Sequence, residues 1–399
     1  MDEISVLICD DSALMRNLIG RIVDETEGMK VVARAENGLD LIEKLKTVQP
    51  DVILLDIQMP QMDGLGFLRH KKEAKIDIPV IILSSVATEG AAVTMQCLDL
   101  GASDFITKPG GTSVSLKIAD VTKEIIEYIA SYGGSYATKK GKSVHEAEFF
   151  SHQIKLKQAE RFVIQKKGEE SAKSAEITHA EANAMPFFNQ ITKKKEPVVI
   201  VPEKECGKIQ VIALGISTGG PNALRELFKN IDPNVKQPIL VVQHMPAGFT
   251  KEFAASLNNL CPLTVTEARD GEPLMPGHVY IAPGNYHIYV EHRPLGNLVR
   301  LSQDPQRNGH RPSADVLFES VAKIYQNNAL GIIMTGMGRD GAAGLAEMRK
   351  KGAWTLGQDQ ASSIVYGMPK VAFELGGVQK QVPLSQMASE LSKIAIENQ

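Results

Sequence analysis

Short apolar runs and longer amphipathic stretches alternate along the first third of the chain. Ile4 to Cys9 is a strand-length apolar-rich run, and Met15 to Asp24 follows with helical spacing. Val31 to Arg34, Val52 to Leu55 and Val80 to Leu83 are further short runs rich in β-branched residues, with a helical pattern between each pair. Buried strands alternating with amphipathic helices predict a parallel sheet with helices on both faces. Between about residues 132 and 205 this rhythm fails. Gly133-Gly134 opens the segment, Lys139-Lys140-Gly141-Lys142 and Lys193-Lys194-Lys195 are charge runs, and strand-like runs are scarce before Val198 to Val201. Such a composition predicts a long linker, helical around Val144 to Lys167 and otherwise mobile, with a small ordered subdomain as the alternative. From Ile209 the rhythm returns. Val211 to Ile216, Ile239 to Gln243, His278 to Ala282 and Gly331 to Met334 are candidate strands, with helical patterns from near Asn222, Thr250 and Asp315 and after Gly341. The expected fold class is α/β: two doubly wound parallel-sheet domains, residues 1–130 and 206–399, joined by a linker over 131–205.

Composition narrows the function. The 399 residues suffice for two domains with full cores. A net charge of -3 offers no electrostatic case for nucleic acid or an acidic membrane surface. Cys9, Cys97, Cys206 and Cys261 form no Cys-x-x-Cys pair, so no metal or redox motif follows and a reducing cytosol is the simple expectation. Met1-Asp2-Glu3 begins no basic-then-apolar leader, and no apolar run approaches the roughly 20 residues of a membrane span. The expectation is a soluble, cytoplasmic protein that is not membrane-embedded.

Ligands of an open parallel sheet bind beyond the carboxyl ends of its strands. Asp10 and Asp11 follow the first strand, and Asp56 follows Val52-Ile53-Leu54-Leu55. Carboxylates converging there repel unless a cation neutralises them, and such hard oxygen ligands suit Mg²⁺. Lys108-Pro109 follows Phe105-Ile106, and Ser84 ends the Val80 to Leu83 strand. Taken singly, paired aspartates in a loop are usually solvated caps, but here four elements fall in order, each after a strand. Residues 4 to about 125 resemble the response-regulator receiver family through Asp10-Asp11, Asp56-Ile57-Gln58-Met59-Pro60-Gln61-Met62-Asp63-Gly64, Ser84 and Lys108-Pro109. The resemblance implies a flavodoxin-like fold, with Asp56 accepting a phosphoryl group from a histidine kinase. It also implies that Asp10, Asp11 and Asp56 hold Mg²⁺, while Lys108 and Ser84 contact the phosphoryl oxygens.

The second half carries a different chemistry. Gly215-Ile216-Ser217-Thr218-Gly219 fits G-x-S-x-G between a strand and a helix, the setting of a nucleophile elbow. Alone, such a turn also fits phosphate binding or simple capping. His244 ends the Ile239 to Gln243 strand and so projects to the same rim, whereas His278, His287, His292 and His310 are less clearly placed. Asp340, in a glycine-rich turn after Gly331 to Met334, can orient that histidine, cap the following helix, or both. The order Ser, His, Asp differs from the Ser, Asp, His of α/β-hydrolases, so a different fold is expected. These segments are similar to the chemotaxis protein-glutamate methylesterase family, CheB. Gly215-Ile216-Ser217-Thr218-Gly219-Gly220-Pro221, Gln243-His244-Met245-Pro246 and Thr335-Gly336-Met337-Gly338-Arg339-Asp340-Gly341 carry the resemblance, with Tyr280-Ile281-Ala282-Pro283-Gly284 and Arg311-Pro312-Ser313. It covers about residues 207–395.

This resemblance implies that Ser217 attacks, His244 is the base, Asp340 orients it and Met337 lends an oxyanion-hole amide, with no cofactor in the catalytic domain. The implied substrate is a glutamate methyl ester on the cytoplasmic domain of a methyl-accepting chemoreceptor, with glutamine deamidation as a second activity and a chemotaxis histidine kinase as phosphodonor. Two rivals are a catalytically dead, protein-binding output domain and a DNA-binding one. The complete Ser217, His244, Asp340 set argues against the first, and the absence of a basic stripe or compact helix-turn-helix pattern against the second.

Overall fold

The computed structural model describes residues 1–84, 88–108, 114–146, 149–150, 153–154 and 197–399. Strands β1 (Ile4–Cys9), β2 (Met29–Ala35), β3 (Val52–Asp56), β4 (Val80–Ser84) and β5 (Asp104–Thr107) form one sheet in the order β2-β1-β3-β4-β5. All its neighbouring pairs are parallel, the flavodoxin-like arrangement. Every residue of β3 and β4 is buried, because helices cover both faces and leave no polar alternation. Helices α1 (Ala13–Asp24), α2 (Gly38–Leu45) and α3 (Gly64–Glu73) start where Ser12, Asn37 and Asp63 accept amide hydrogens from Met15, Asp40 and Gly66. Each such cap is worth ~1 kcal/mol. Helices α4 (Thr88–Asp99) and α5 (Val114–Tyr128) complete the repeat.

The first domain does not stop near residue 130. Past Tyr128 the chain runs through a π-helical turn, Ile129–Gly133, into α6 (Gly134–Lys139). Gly133-Gly134, expected to open a linker, instead lets the helix pass close over the sheet: a Cβ on Gly133 would lie 2.7 Å from Ile4 Cγ2. Ile129, Tyr132 and Phe150 are buried in the same core as Ile4 and Val52. Most of the helix expected over Val144 to Lys167 lies outside the described residues.

The second domain holds a seven-stranded, all-parallel sheet in the order β14-β13-β12-β6-β7-β9-β8. Its strands are β6 (Val211–Ile216), β7 (Ile239–Gln243), β8 (Thr264–Glu267), β9 (His278–Ile281), β12 (Ala329–Ile333), β13 (Trp354–Gln358) and β14 (Lys380–Val382). The antiparallel hairpin β10 (His287–Arg293) and β11 (Gly296–Ser302) stands apart from it. Helices α7 (Gly220–Lys229), α8 (Phe249–Asn258), α9 (Ala314–Tyr325), α10 (Ala342–Lys350), α11 (Met368–Glu374) and α12 (Leu384–Glu397) cover the sheet. Val198 to Val201 form no strand. Val199 and Val201 are exposed, and the Val198 amide donates to the Glu374 carbonyl at the end of α11. Chain order reverses between β6 and its neighbours β7 and β12, so a crevice opens where these three strands end. No helix among the described residues is long and apolar enough to cross a membrane.

Candidate active site

At the carboxyl ends of β1 and β3, oxygens of Asp10, Asp11 and Asp56 lie within 4.8 Å of one another. The Lys108 ammonium is 2.7 Å from both Asp10 Oδ2 and Asp56 Oδ2. Two buried carboxylates sharing one lysine leave net negative charge, and Asp11, exposed at the rim, adds to it. The donor set therefore fits a hard divalent cation. Burial pushes the Asp56 carboxyl above its ordinary range; Lys108 and the Ile57 amide oppose the shift without reversing it. Lys108 is itself desolvated, but its two carboxylate partners raise its affinity for the proton. Ser84 ends β4 beside Lys108, whose amide donates to the Ser84 carbonyl at 2.7 Å, and its buried hydroxyl lies 2.7 Å from Thr94 Oγ1 on α4.

Ser217, His244 and Asp340 follow β6, β7 and β12, three adjacent strands, and so meet at one crevice. Gly219 takes φ +81° in the elbow, a conformation that a Cβ disfavours, and Ser217 N–H donates to Thr335 O at 2.9 Å. His244 Nδ1 lies 3.0 Å from Ser217 Oγ, and Nε2 lies 2.9 Å from Asp340 Oδ2. The ring thus faces the Ser217 hydroxyl with Nδ1 and the Asp340 carboxylate with Nε2. Asp340 is buried, which alone raises a carboxyl pKa. Hydrogen bonds from His244, Ser313 and Asn308, with the His244 charge, outweigh burial and hold it well below the ordinary range. Ser313 Oγ donates at 2.6 Å, Asn308 Nδ2 at 2.9 Å and the Ala314 amide at 2.7 Å. Asp340 therefore bonds His244 and the first turn of α9, which precedes it in the chain, and does not cap α10, the alternative role the sequence also allowed. The N-cap of α10 is Gly341 at φ +81°.

His310 and Asn308 stand at the site although the sequence pattern did not place them there. His310 stacks on His244, with ring centroids 3.8 Å apart and planes 11° from parallel. Burial, then the neighbouring His244, pulls the His310 pKa down to about 3, so it stays uncharged near neutrality. The loop that places it also carries Asn308, held at φ +54°. No periodic pattern marks such a loop; the Arg311-Pro312-Ser313 match beside it was the available signal. His278 and His287 bond Thr266 and Pro305 instead. Met337 lines the cleft, and its amide donates no hydrogen bond among the described residues.

The cleft over the triad, about 670 Å³, has walls from both domains. Lys123, Glu124, Glu127 and Tyr128 of α5 face Ser217, His244 and Arg339. Beside it Phe105 stacks on Phe249 at 4.9 Å, and the buried Asp104 accepts from Gly219 N–H at 2.9 Å and Tyr132 O–H at 2.8 Å. Asn222 Nδ2 donates to the carbonyls of Ala102 and Ser103, and Arg225 pairs with Asp99. The first domain is thus seated on the nucleophile elbow.

Fold and site define a serine hydrolase of α/β type with a second α/β domain, bearing an acidic lysine-bridged pocket, docked over its cleft. Residues 6–119 match the response regulator receiver domain and residues 212–391 the CheB methylesterase family. The chain is 49% identical to the protein-glutamate methylesterase/protein-glutamine glutaminase of Treponema denticola over 398 residues, 100% of each chain. It is 38% identical to the protein of that name from Escherichia coli K12, covering 99% of this chain and 98% of that one. The chain belongs to the CheB protein-glutamate methylesterase family, with a response-regulator receiver domain at its amino-terminal end.

Proposed function

We propose that this enzyme hydrolyses glutamate methyl esters on the cytoplasmic domain of a chemoreceptor, under control of phosphorylation at Asp56, and so serves adaptation in chemotaxis. The Ser217–His244–Asp340 chain of hydrogen bonds carries the reading. As the Ser217 oxygen bonds to the ester carbonyl carbon, its proton passes to His244 Nδ1. Asp340, ionised and fully hydrogen-bonded, holds the ring through Nε2 and stabilises the imidazolium. The Met337 amide stands ready for the developing oxyanion. His244 returns the proton to the departing methoxide, methanol leaves, and water attacks the acyl-enzyme with His244 again as base. A receptor glutamine follows the same route with ammonia as leaving group. The hydrolase half employs no cofactor in this scheme.

In the receiver domain Asp56 is the phosphoryl acceptor, and Asp10, Asp11 and Asp56 would hold Mg²⁺. The ion supplies neutralisation of the charge that a phosphoryl group brings to this carboxylate-rich site. Lys108 pairs with the phosphoryl oxygens, and Ser84 leaves Thr94 to reach them. The kinase that donates the phosphoryl group is a chemotaxis histidine kinase, and receptor, kinase and enzyme meet in the cytoplasm.

The receiver domain acts as a lid in its unphosphorylated form. Support comes from α5 walling the cleft and from Asp104 on the elbow amide. Phe105, stacked on Phe249, lies on the strand β5 that leads to Lys108, which links the phosphoryl pocket to the interface. Phosphorylation shifts the docked–undocked balance toward the open state. The test is methanol release from a methylated receptor with and without a small-molecule phosphodonor. Faster release with the donor is expected, whereas no release under either condition would overturn the enzymatic reading.

A further inference from the structure

Gln243 is the last residue of β7 and precedes His244. Its side chain is buried, and its single amide nitrogen donates to two main-chain carbonyls: Ser217 O at 3.2 Å and His244 O at 3.0 Å. Those carbonyls belong to the nucleophile and its base. We infer that the Gln243 carboxamide is a brace that sets the separation of the Ser217 and His244 backbones, making Gln243 a positioning residue for the hydrolase reaction. The inference rests on the triad reading given above.

A primary amide carries two N–H donors in one plane at a fixed angle. Bound to both carbonyls, it ties together two strand ends whose side chains must meet at 3.0 Å. Other bonds on these backbones are less direct: Ser217 N–H goes to Thr335 O, and His244 N–H to Ile216 O. Apart from the Nδ1–Oγ contact itself, the Gln243 side chain is the one group among the described residues that bonds both Ser217 and His244.

Two further observations show that the chain accommodates this carboxamide at a cost. Gln243 Oε1 is buried with no hydrogen-bond partner among the described residues. An apolar side chain ending the strand would avoid that unpaired acceptor, so retention of the amide points to the work of its nitrogen. Opposite lies Gly220, in the first turn of α7, where glycine is a poor helix former. A Cβ there would lie 1.9 Å from Gln243 Oε1 and 2.8 Å from its Cδ. The φ of Gly220 is not in the left-handed region, so what a Cβ at this position would contest is the space taken by the buried Gln243 carboxamide, which would have to shift.

The test uses full-length protein with a small-molecule phosphodonor, a methylated receptor and four variants: Gln243→Glu, Gln243→Ala, Gly220→Ala and the Gln243→Ala/Gly220→Ala double. Gln243→Glu keeps the size but replaces the donor with an acceptor. Each single variant is expected to lower kcat about a hundredfold, the scale of an ångström-sized misplacement, with KM within about twofold. The double variant should be no slower than Gln243→Ala, because the brace can be lost only once and the added methyl then has room. A kcat for Gln243→Glu within about threefold of wild type, or a double variant losing the product of the two single losses, would overturn the brace. If Gln243→Ala does not fold, Gln243→Glu and Gly220→Ala still decide the matter through the kcat and KM split. Ser217→Ala runs alongside: its inactivity with unimpaired Gln243 variants defeats the brace alone, while an active Ser217→Ala defeats the triad reading.

Discussion

Asp56 and Asp340 occupy comparable places in two parallel sheets, at or just past the carboxyl end of an inner strand, and both are buried. Their surroundings differ. Asp56 has the Ile57 amide and one lysine that it shares with Asp10, and burial wins, so its pKa rises. Asp340 receives His244, Ser313, Asn308 and the Ala314 amide, and these partners win over burial, so its pKa falls. The carboxylate proposed to accept the phosphoryl group is left under-coordinated, which suits a site that would take a metal and an incoming group. A carboxylate that must only stay ionised and hold a ring is saturated, and a helix N-terminus adds to its comfort.

The sharpest way to break this contrast is to remove reacting groups. Ser217→Ala should reduce methanol release about a million-fold, leaving Asp56 labelling intact. Residual turnover above roughly a thousandth of wild type would mean that the nucleophile is another group. The same carboxylate-to-amide change should then have opposite results in the two domains. Asp340→Asn should slow the esterase about ten-thousand-fold, because an amide no longer favours the right tautomer and charge of His244. Asp56→Asn should abolish phosphate incorporation from a small-molecule donor and leave basal esterase activity unchanged. An unaffected Asp340→Asn enzyme, or phosphate retained by Asp56→Asn, would dissolve the comparison.

Smaller effects sharpen it. His310 stays neutral, and its face supports the His244 ring as that ring becomes cationic. His310→Ala should lower kcat about tenfold and His310→Phe should restore most of it, a cation–π-sized effect. Equal loss in both would place the role of His310 in its nitrogens. The smallest prediction concerns the interface. Burial pushes Asp104 up to about 6 from an ordinary 3.8, against the opposing hydrogen bonds from Gly219, Tyr132 and Phe105. The docked form therefore binds the extra proton. Its contribution to docking is fully present below the ordinary pKa and is lost as pH rises through about 6. Energy transfer between dyes on the two domains should fall across that window, and Asp104→Asn should flatten the change.

Much of this was legible along the chain. Asp10, Asp11, Asp56 and Lys108, like Ser217, His244 and Asp340, each follow an apolar run. In a parallel sheet that position alone sends a side chain to the ligand-binding rim. Strands buried on both faces announce themselves by continuous apolar residues, and β1, β3, β4, β6, β7 and β12 were read on that ground. Strands β8, β10, β11, β13 and β14 were not, being short, polar or at sheet edges, as the exposed Lys380 and Gln381 of β14 illustrate. The helix through Gly133-Gly134 was hidden because those glycines answer to the approach of Ile4 and Val52, over a hundred residues and about eighty residues away in the chain. His310, Asn308 and Ser313 reach the triad from a loop and a helix start, where no periodicity points. The cap that Asp340 provides goes to α9 for the same reason: which helix N-terminus lies beside a strand end is settled by packing. Local order along the sequence thus determined which residues stand at the two rims. Tertiary structure alone decided how each is held, because the contacts that hold them join segments that no local pattern relates.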